Sequence, residues 1–173
     1  ISWLDSQNAD QPILSSNVFR EKVFPNIKKG KQTLLLVIDN LRYDHWCNLR
    51  PLLSEYYNIQ DDSLYYSILP TCTQYARNSL FAGLMPLDIE KIYPELWRND
   101  DNEDESKNQY EEDLLVSQLK RLGYTDNIFF EKITSINPGR RVTDKLQAIQ
   151  QHKFSVIVYN FVDTLSHART EMD

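Results

Sequence analysis

The chain has 173 residues, of which 41% are hydrophobic, 12% aromatic and 25% charged, and this composition fits a folded globular domain rather than a disordered segment. Its formal net charge of −6 argues against a duplex nucleic-acid-binding surface, which needs clustered Lys and Arg. The longest wholly apolar run, 34–38, is far below the roughly 18 residues of a membrane span, so no membrane segment is expected. Cys47 and Cys72 lie far apart without a CxxC pattern, and no secretory signal is visible. These features predict reduced thiols and a cytoplasmic location.

The first predicted element is a short helix. Two serines and an asparagine at 15–17 are good N-cap residues ahead of 18–24, where apolar side chains recur four apart. We expect this helix to end near Pro25 or at Gly30, because proline and glycine interrupt helices.

A buried strand followed by a helix comes next. Residues 34–38 are all apolar until the chain meets Asp39, which predicts a strand buried on both faces. A helix should follow, because large apolar residues then recur at helical spacing, namely Trp46, Leu49, Leu52, Leu53 and Tyr56. Residues 65–69 restore a strand pattern that ends at Pro70.

The middle of the chain holds a second helix and an acidic segment. Hydroxyl residues at 71–73 offer an N-cap for a helix over 74–82, and Gly83 lies where that helix should stop. Acids and amides dominate 99–112, which we interpret as a solvated, mobile insertion. Calcium binding is the alternative for this segment, but the glycine that turns an EF-hand loop is missing.

The remaining elements alternate between helix and strand. An amphipathic helix is predicted over 114–122, a strand over 127–130, a helix over 143–152 and a buried strand over 154–162 that ends at Asp163. Helices alternating with near-continuous apolar strands are typical of an α/β fold with a doubly wound, mainly parallel sheet and right-handed crossovers.

Ligands of open α/β sheets bind at the carboxyl ends of the strands. Three places therefore carry the most weight: Asp39, the hydroxyl residues at 71–73, and Asp163 with His167. Asp39 either meets a cation, caps the following helix or pairs with Arg42, and the residues alone leave these options open. Asp163 and His167 are four residues apart, so a helical turn puts both on one face, where they suit zinc or a similar divalent metal.

Thr73 has two interpretations. At the first turn of a helix, free N–H groups and the helix dipole favour an anion such as phosphate, and a hydroxyl there can become a nucleophile. The plainer interpretation is an N-cap residue, which is the commoner role of a threonine at such a position.

Two stretches resemble the PglZ domains of the alkaline phosphatase superfamily: LLVIDNLRYD at 35–44 and ILPTCTQYARN at 68–78. The resemblance extends from about residue 31 to the end, which makes 31–173 the N-terminal part of an alkaline-phosphatase-like domain and 1–30 a helical lead-in or linker. It is closest to PglZ modules of PorX-like two-component response regulators of Bacteroidetes, in which a receiver domain precedes the module.

The resemblance implies a chemistry and a set of residues. The complete domain would bind two divalent metal ions, and zinc is the expected metal. Asp39, Thr73, Asp163 and His167 would be metal ligands, with Thr73 also the nucleophile and Thr71 the less favoured candidate. The implied activity is that of a metal-dependent phosphodiesterase or phosphatase, acting on phosphoesters that include oligonucleotide-like substrates.

The sequence also departs from the superfamily pattern. A further Asp–His pair and another histidine are expected downstream, but the only other histidines are His45, for which we expect a packing role, and His152, which we expect at the surface. We therefore expect a fragment with weak or no activity of its own. The alternative function is a non-catalytic signalling or interaction module that binds partners through the acidic segment or exposed aromatics such as Trp97. A flavodoxin-like or receiver domain ranks lowest.

Overall fold

A computed structural model of the chain describes residues 12–98, 109–133, 145–160 and 162–163. The helices are α1 (Ser15–Val18), α2 (Phe24–Lys28), α3 (Tyr43–Ser54), α4 (Thr73–Ala82), α5 (Pro86–Ile92), α6 (Glu111–Arg121) and α7 (Leu146–Gln151). A π-helical turn, Phe19–Val23, joins α1 to α2, and a 3-10 turn, Pro94–Leu96, follows α5. The strands are β1 (Thr33–Ile38), β2 (Phe129–Ile133) and β3 (Phe154–Tyr159).

The chain divides into two compact units. One comprises the chain up to Lys28 together with Ser63–Thr125, and the other comprises Lys29–Asp62 together with the chain from Asp126 onward. The first unit is helical in its described part, and the second contains the sheet. None of the described helices is long and apolar enough to cross a bilayer.

The sheet of the second unit is parallel, with the strand order β1-β3-β2. Its central strand is β3, whose residues from Phe154 to Val158 are buried because both neighbours and both faces cover them. Pairing of β1 with β3 runs in register from Thr33↔Phe154 to Ile38↔Tyr159. The predicted α/β class with a parallel sheet is thus confirmed.

Several predicted boundaries shift by a few residues. The strand predicted over 127–130 is observed at Phe129–Ile133, and the strand predicted over 154–162 ends at Tyr159. The helix α7, Leu146–Gln151, lies within the helix predicted over 143–152, of which residues 143 and 144 are outside the described part of the chain. The N-cap of α1 is Leu14, and the expected cap residues Ser15 and Ser16 are buried within the helix. Of the two predicted ends of this helix, the one at Gly30 is supported: the helical segment continues through Pro25 to Lys28, and Gly30 has a left-handed φ of 74° in the turn that follows.

The prediction that the first strand is buried on both faces is wrong. Side chains of β1 alternate between half-buried and exposed, and Leu34 and Leu36 are each 52% exposed. The physical reason is position: β1 lies at the side of the described sheet, and among the described residues no layer covers the face on which Leu34 and Leu36 lie.

The predicted strand over 65–69 does not form. Its only strand-like pairing among the described residues is an isolated parallel bridge between Leu14 and Tyr66. In that bridge Tyr66 N–H donates to Ile13 O at 2.8 Å, and Ser15 N–H donates to Tyr66 O at 3.1 Å. Tyr65, Tyr66 and Leu69 are exposed, so the β-prone residue types lack the neighbouring strand that would bury them.

The core of the helical unit lies between α4 and the helices around it. Its buried apolar side chains include Phe19, Phe81, Ile89, Leu114, Leu115 and Leu119. The amphipathic helix predicted from Leu114 begins earlier, at Glu111. The solvated interpretation of 99–112 is therefore wrong for Glu111, which is 1% exposed; residues 99–108 lie outside the described part of the chain.

Trp97 also corrects an expectation. It is buried rather than exposed, and its ring packs tilted against Tyr75, with 5.7 Å between the ring centroids. An interaction surface built on Trp97 is excluded, because the side chain belongs to the interior of the helical unit.

Gly83 ends α4 as predicted, and its contacts give a test of the helical core. Its φ is +63°, and a Cβ there would lie 2.0 Å from Nε2 of Gln118, a buried side chain. We expect Gly83→Ala to lower the free energy of unfolding by about 2–3 kcal/mol, from left-handed backbone strain and overpacking together. Chemical denaturation measures this change.

Gly123 is the matched control for that substitution. Its φ is +80°, but nothing lies within 4 Å of a Cβ placed there. Gly123→Ala should therefore cost only the backbone term, about 1 kcal/mol. Equal losses in the two variants would show that the contact between Gly83 and Gln118 contributes nothing.

Candidate functional site

The carboxyl edge of the sheet carries the first candidate residue, Asp39. It directly follows β1, and its backbone N–H donates to Tyr159 O at 3.0 Å, which ties the end of β1 to the end of β3. Asn40 then adopts a left-handed φ of 58° and turns the chain toward α3; asparagine tolerates this region better than most residues. Asp39 is half-buried.

Asp163 follows the neighbouring strand at the same edge. Beyond β3 the chain stays tied to the sheet, since Asn160 N–H donates to Ile133 O at 3.0 Å. Val162 and Asp163 then lie in a helical turn, and Asp163 is half-buried. Because β1 and β3 are adjacent and parallel, Asp39 and Asp163 both follow strand ends at one edge of the sheet.

These two carboxylates fit part of a divalent-metal site. Carboxylate oxygens are ligands for zinc, magnesium and manganese, and a half-buried edge favours a cation that offsets two negative charges. Within the described residues no cluster of three or more His, Cys, Asp or Glu is present. His167, the third ligand predicted on this unit, lies outside the described residues.

One alternative role for Asp39 does not hold. The N-cap residue of α3 is Arg42, so Asp39 does not cap that helix. Arg42 itself is exposed and pairs with Asp44, donating from Nε at 2.9 Å and also from Nη2. The hydrogen bond from Arg42 holds the pKa of the Asp44 carboxyl well below its usual range.

Thr73 is in the helical unit, at the first position of α4. The N-cap is Cys72, which has extended backbone angles and makes no side-chain capping bond. The interpretation of Thr73 as a plain N-cap is therefore wrong. Thr71 lies two residues before the helix and is exposed, so only Thr73 of the two candidates belongs to the helix N-terminus, where the dipole favours an anion.

Comparison with known protein families shows which family the chain belongs to. Residues 18–173 match the family described as the BREX system PglZ alkaline phosphatase-like domain. The chain belongs to the PglZ family. No curated protein matches it. Membership places this PglZ domain in an alkaline phosphatase-like group, that is, in a superfamily of the phosphoesterase type.

The other two histidines of the PglZ domain, His45 and His152, make local hydrogen bonds. His45 lies in the first turn of α3, where its Nδ1 accepts from Arg42 N–H at 3.5 Å. His152 is half-buried rather than at the surface, with Nδ1 2.7 Å from Ala148 O. It also precedes β3, so it lies at the amino edge of the sheet, roughly 20 Å of strand away from Asp163's edge.

Sequence reasoning missed a buried ion pair in the PglZ domain. Arg77 on α4 donates from Nε to Oε1 of Glu111, the first residue of α6, at 2.6 Å. The two residues are 34 positions apart, so no local spacing could reveal the pair. The only sequence signal is an acid at the start of a helix, where acids are common in any case.

Proposed function

We propose that this PglZ domain is a metal-dependent phosphoesterase. The observation that carries the proposal is the pair of strand-end carboxylates, Asp39 and Asp163, on adjacent parallel strands of a chain from an alkaline phosphatase-like family. Carboxylate oxygens are common ligands of divalent metals, so two carboxylates that follow adjacent strand ends are consistent with a metal site at this edge.

Asp39, Asp163 and His167 are the residues of the second unit that would hold the metal, for which zinc is the expected identity. Two carboxylate oxygens and an imidazole nitrogen form a donor set that zinc accepts. The bound metal supplies positive charge that neutralises the oxygens of a phosphoryl group.

Thr73 is the proposed nucleophile and a further metal ligand. Its hydroxyl oxygen would form a bond to phosphorus while the ester oxygen leaves with a proton, and water would then hydrolyse the phosphothreonine and restore the hydroxyl. The N-terminus of α4 favours the phosphoryl anion through its free N–H groups and its dipole.

The biological setting is also part of the proposal. The stretches 35–44 and 68–78 resemble modules that follow a receiver domain in PorX-like response regulators, which suggests a cytoplasmic signalling protein whose phosphoesterase responds to phosphorylation. Oligonucleotide-like phosphodiesters are the substrate class to try first.

The function is tested on the full-length natural protein, stripped of metal with a chelator and reloaded with zinc, magnesium or manganese. We expect hydrolysis of a chromogenic phosphodiester or phosphomonoester only after reloading, and most strongly with zinc. Tight metal binding without turnover of either substrate would refute the phosphoesterase and favour a non-catalytic signalling module.

A further inference from the structure

The helix that carries Thr73 is held by a buried ion pair one turn away. Arg77 lies four residues after Thr73 on α4, and its partner Glu111 begins α6. The side chains are 8% and 1% exposed, and the Nε–Oε1 distance is 2.6 Å. A charge-assisted bond of this length, out of water, fixes both the distance and the direction between the two helices.

The first half of α4 is held by buried polar contacts. It buries the side chains of Gln74 and Arg77, and Gln74 Nε2 donates to Arg98 O. Hydrogen bonds weaken steeply when their angle departs from linearity, so such contacts resist rotation of the helix. Both contacts, Gln74 with Arg98 and Arg77 with Glu111, lie within about one turn of Thr73.

Contacts with Arg98 also hold the N-terminus of α6, which carries Glu111. Arg98 Nη2 donates to the Tyr110 hydroxyl at 2.6 Å, and the Arg98 guanidinium lies 5.1 Å from the centre of the Tyr110 ring. Tyr110 immediately precedes Glu111, so the contacts of Tyr110 also hold the residue that pairs with Arg77. The hydrogen bond from Gln74 to Arg98 O connects these contacts to the start of α4.

We infer that Arg77 and Glu111 are a positioning pair for Thr73. The inference rests on the proposed function, since it assigns the pair to the placement of the nucleophile. A buried ion pair adds little stability compared with apolar residues of similar size, so its presence here is better explained by the geometry that it imposes. Misplacement of a reacting group by about 1 Å can lower a rate by about 100-fold.

The test is Glu111→Gln in the metal-loaded full-length protein, which keeps the shape of the side chain and removes its charge. We expect kcat to fall by at least about 10-fold with KM within about 2-fold, because the substrate still binds but Thr73 is displaced. The control is Arg121→Gln, at the other end of α4, where Arg121 donates to Ala82 O and, at 2.7 Å, to the Tyr93 hydroxyl. This control should lower the melting temperature but leave kcat unchanged.

A charge-swapped variant, Arg77→Glu with Glu111→Arg, separates positioning from folding and serves if Glu111→Gln does not fold. We expect it to recover part of the lost kcat relative to Arg77→Glu alone. Equal losses of kcat in Glu111→Gln and Arg121→Gln, or a melting change without a kcat change, would overturn the inference. A wild-type protein without turnover, or a Thr73→Ala variant with full turnover, would instead refute the proposed function, and the positioning role with it.

Discussion

Thr73→Ala should abolish phosphoester hydrolysis, with kcat lowered by at least about 10³-fold. The reason is that alanine removes the oxygen that would attack phosphorus, while the methyl group preserves helix α4, since alanine is a good residue for an early helical position. Most of the bound metal should remain, because Asp39, Asp163 and His167 are the other proposed ligands on this chain. Steady-state kinetics and metal analysis of the same preparation measure the two effects.

Two further variants sharpen this prediction. Thr73→Ser keeps a hydroxyl and should retain measurable turnover, whereas Thr71→Ala should stay within about 2-fold of the wild type because Thr71 lies outside the helix. The opposite pattern, with loss in Thr71→Ala and none in Thr73→Ala, would move the nucleophile to Thr71. Trapping of a phosphorylated threonine, followed by peptide mapping, would identify the residue directly.

The secondary structure that the sequence predicted well shares one property, which is that local patterns were enough to define it. Continuous apolar runs defined β1 and β3, and glycine with a positive φ ended α4 at Gly83. Each of these signals acts within a few residues, so it survives whatever the rest of the chain does.

The wrong predictions depended on neighbours that are distant in sequence. The residue types of 65–69 favour a strand, but a strand needs a partner along its whole length, and the pairing of Tyr66 with Leu14 is a single bridge. Burial of Trp97 depends on its packing against Tyr75, and burial of Glu111 depends on Arg77. Neither contact is visible in the local sequence, and both side chains were expected at the surface.

In the candidate site, too, the features set by local sequence were predicted and those set by distant neighbours were not. That Asp39 and Asp163 follow strands was readable from the sequence, and strand ends in a parallel sheet share an edge. That β1 and β3 are neighbours was not readable, because strand order depends on which crossovers form. The ion pair behind Thr73 was equally hidden, since it joins two helices whose contact no periodicity encodes.

Asp39→Asn should weaken metal binding by about 100-fold or more and remove most activity at limiting zinc. An amide keeps the shape of the carboxylate but not its charge, so excess zinc should restore part of the turnover, which a misfolded protein would not show. Asp163→Asn should behave alike. Asp44→Asn is the matched control: it removes a nearby exposed carboxylate that pairs with Arg42, and metal content should not change.

The melting temperature with and without metal is a second measurement that tests the role of Asp39. In chelator-treated protein there is no bound metal to lose, so Asp39→Asn should change the melting temperature little. With zinc, the wild type should gain more stability than Asp39→Asn, because binding to the folded state stabilises it in proportion to affinity. If Asp39→Asn gains as much from zinc as the wild type, Asp39 is not a ligand, and the metal site must be built on other residues.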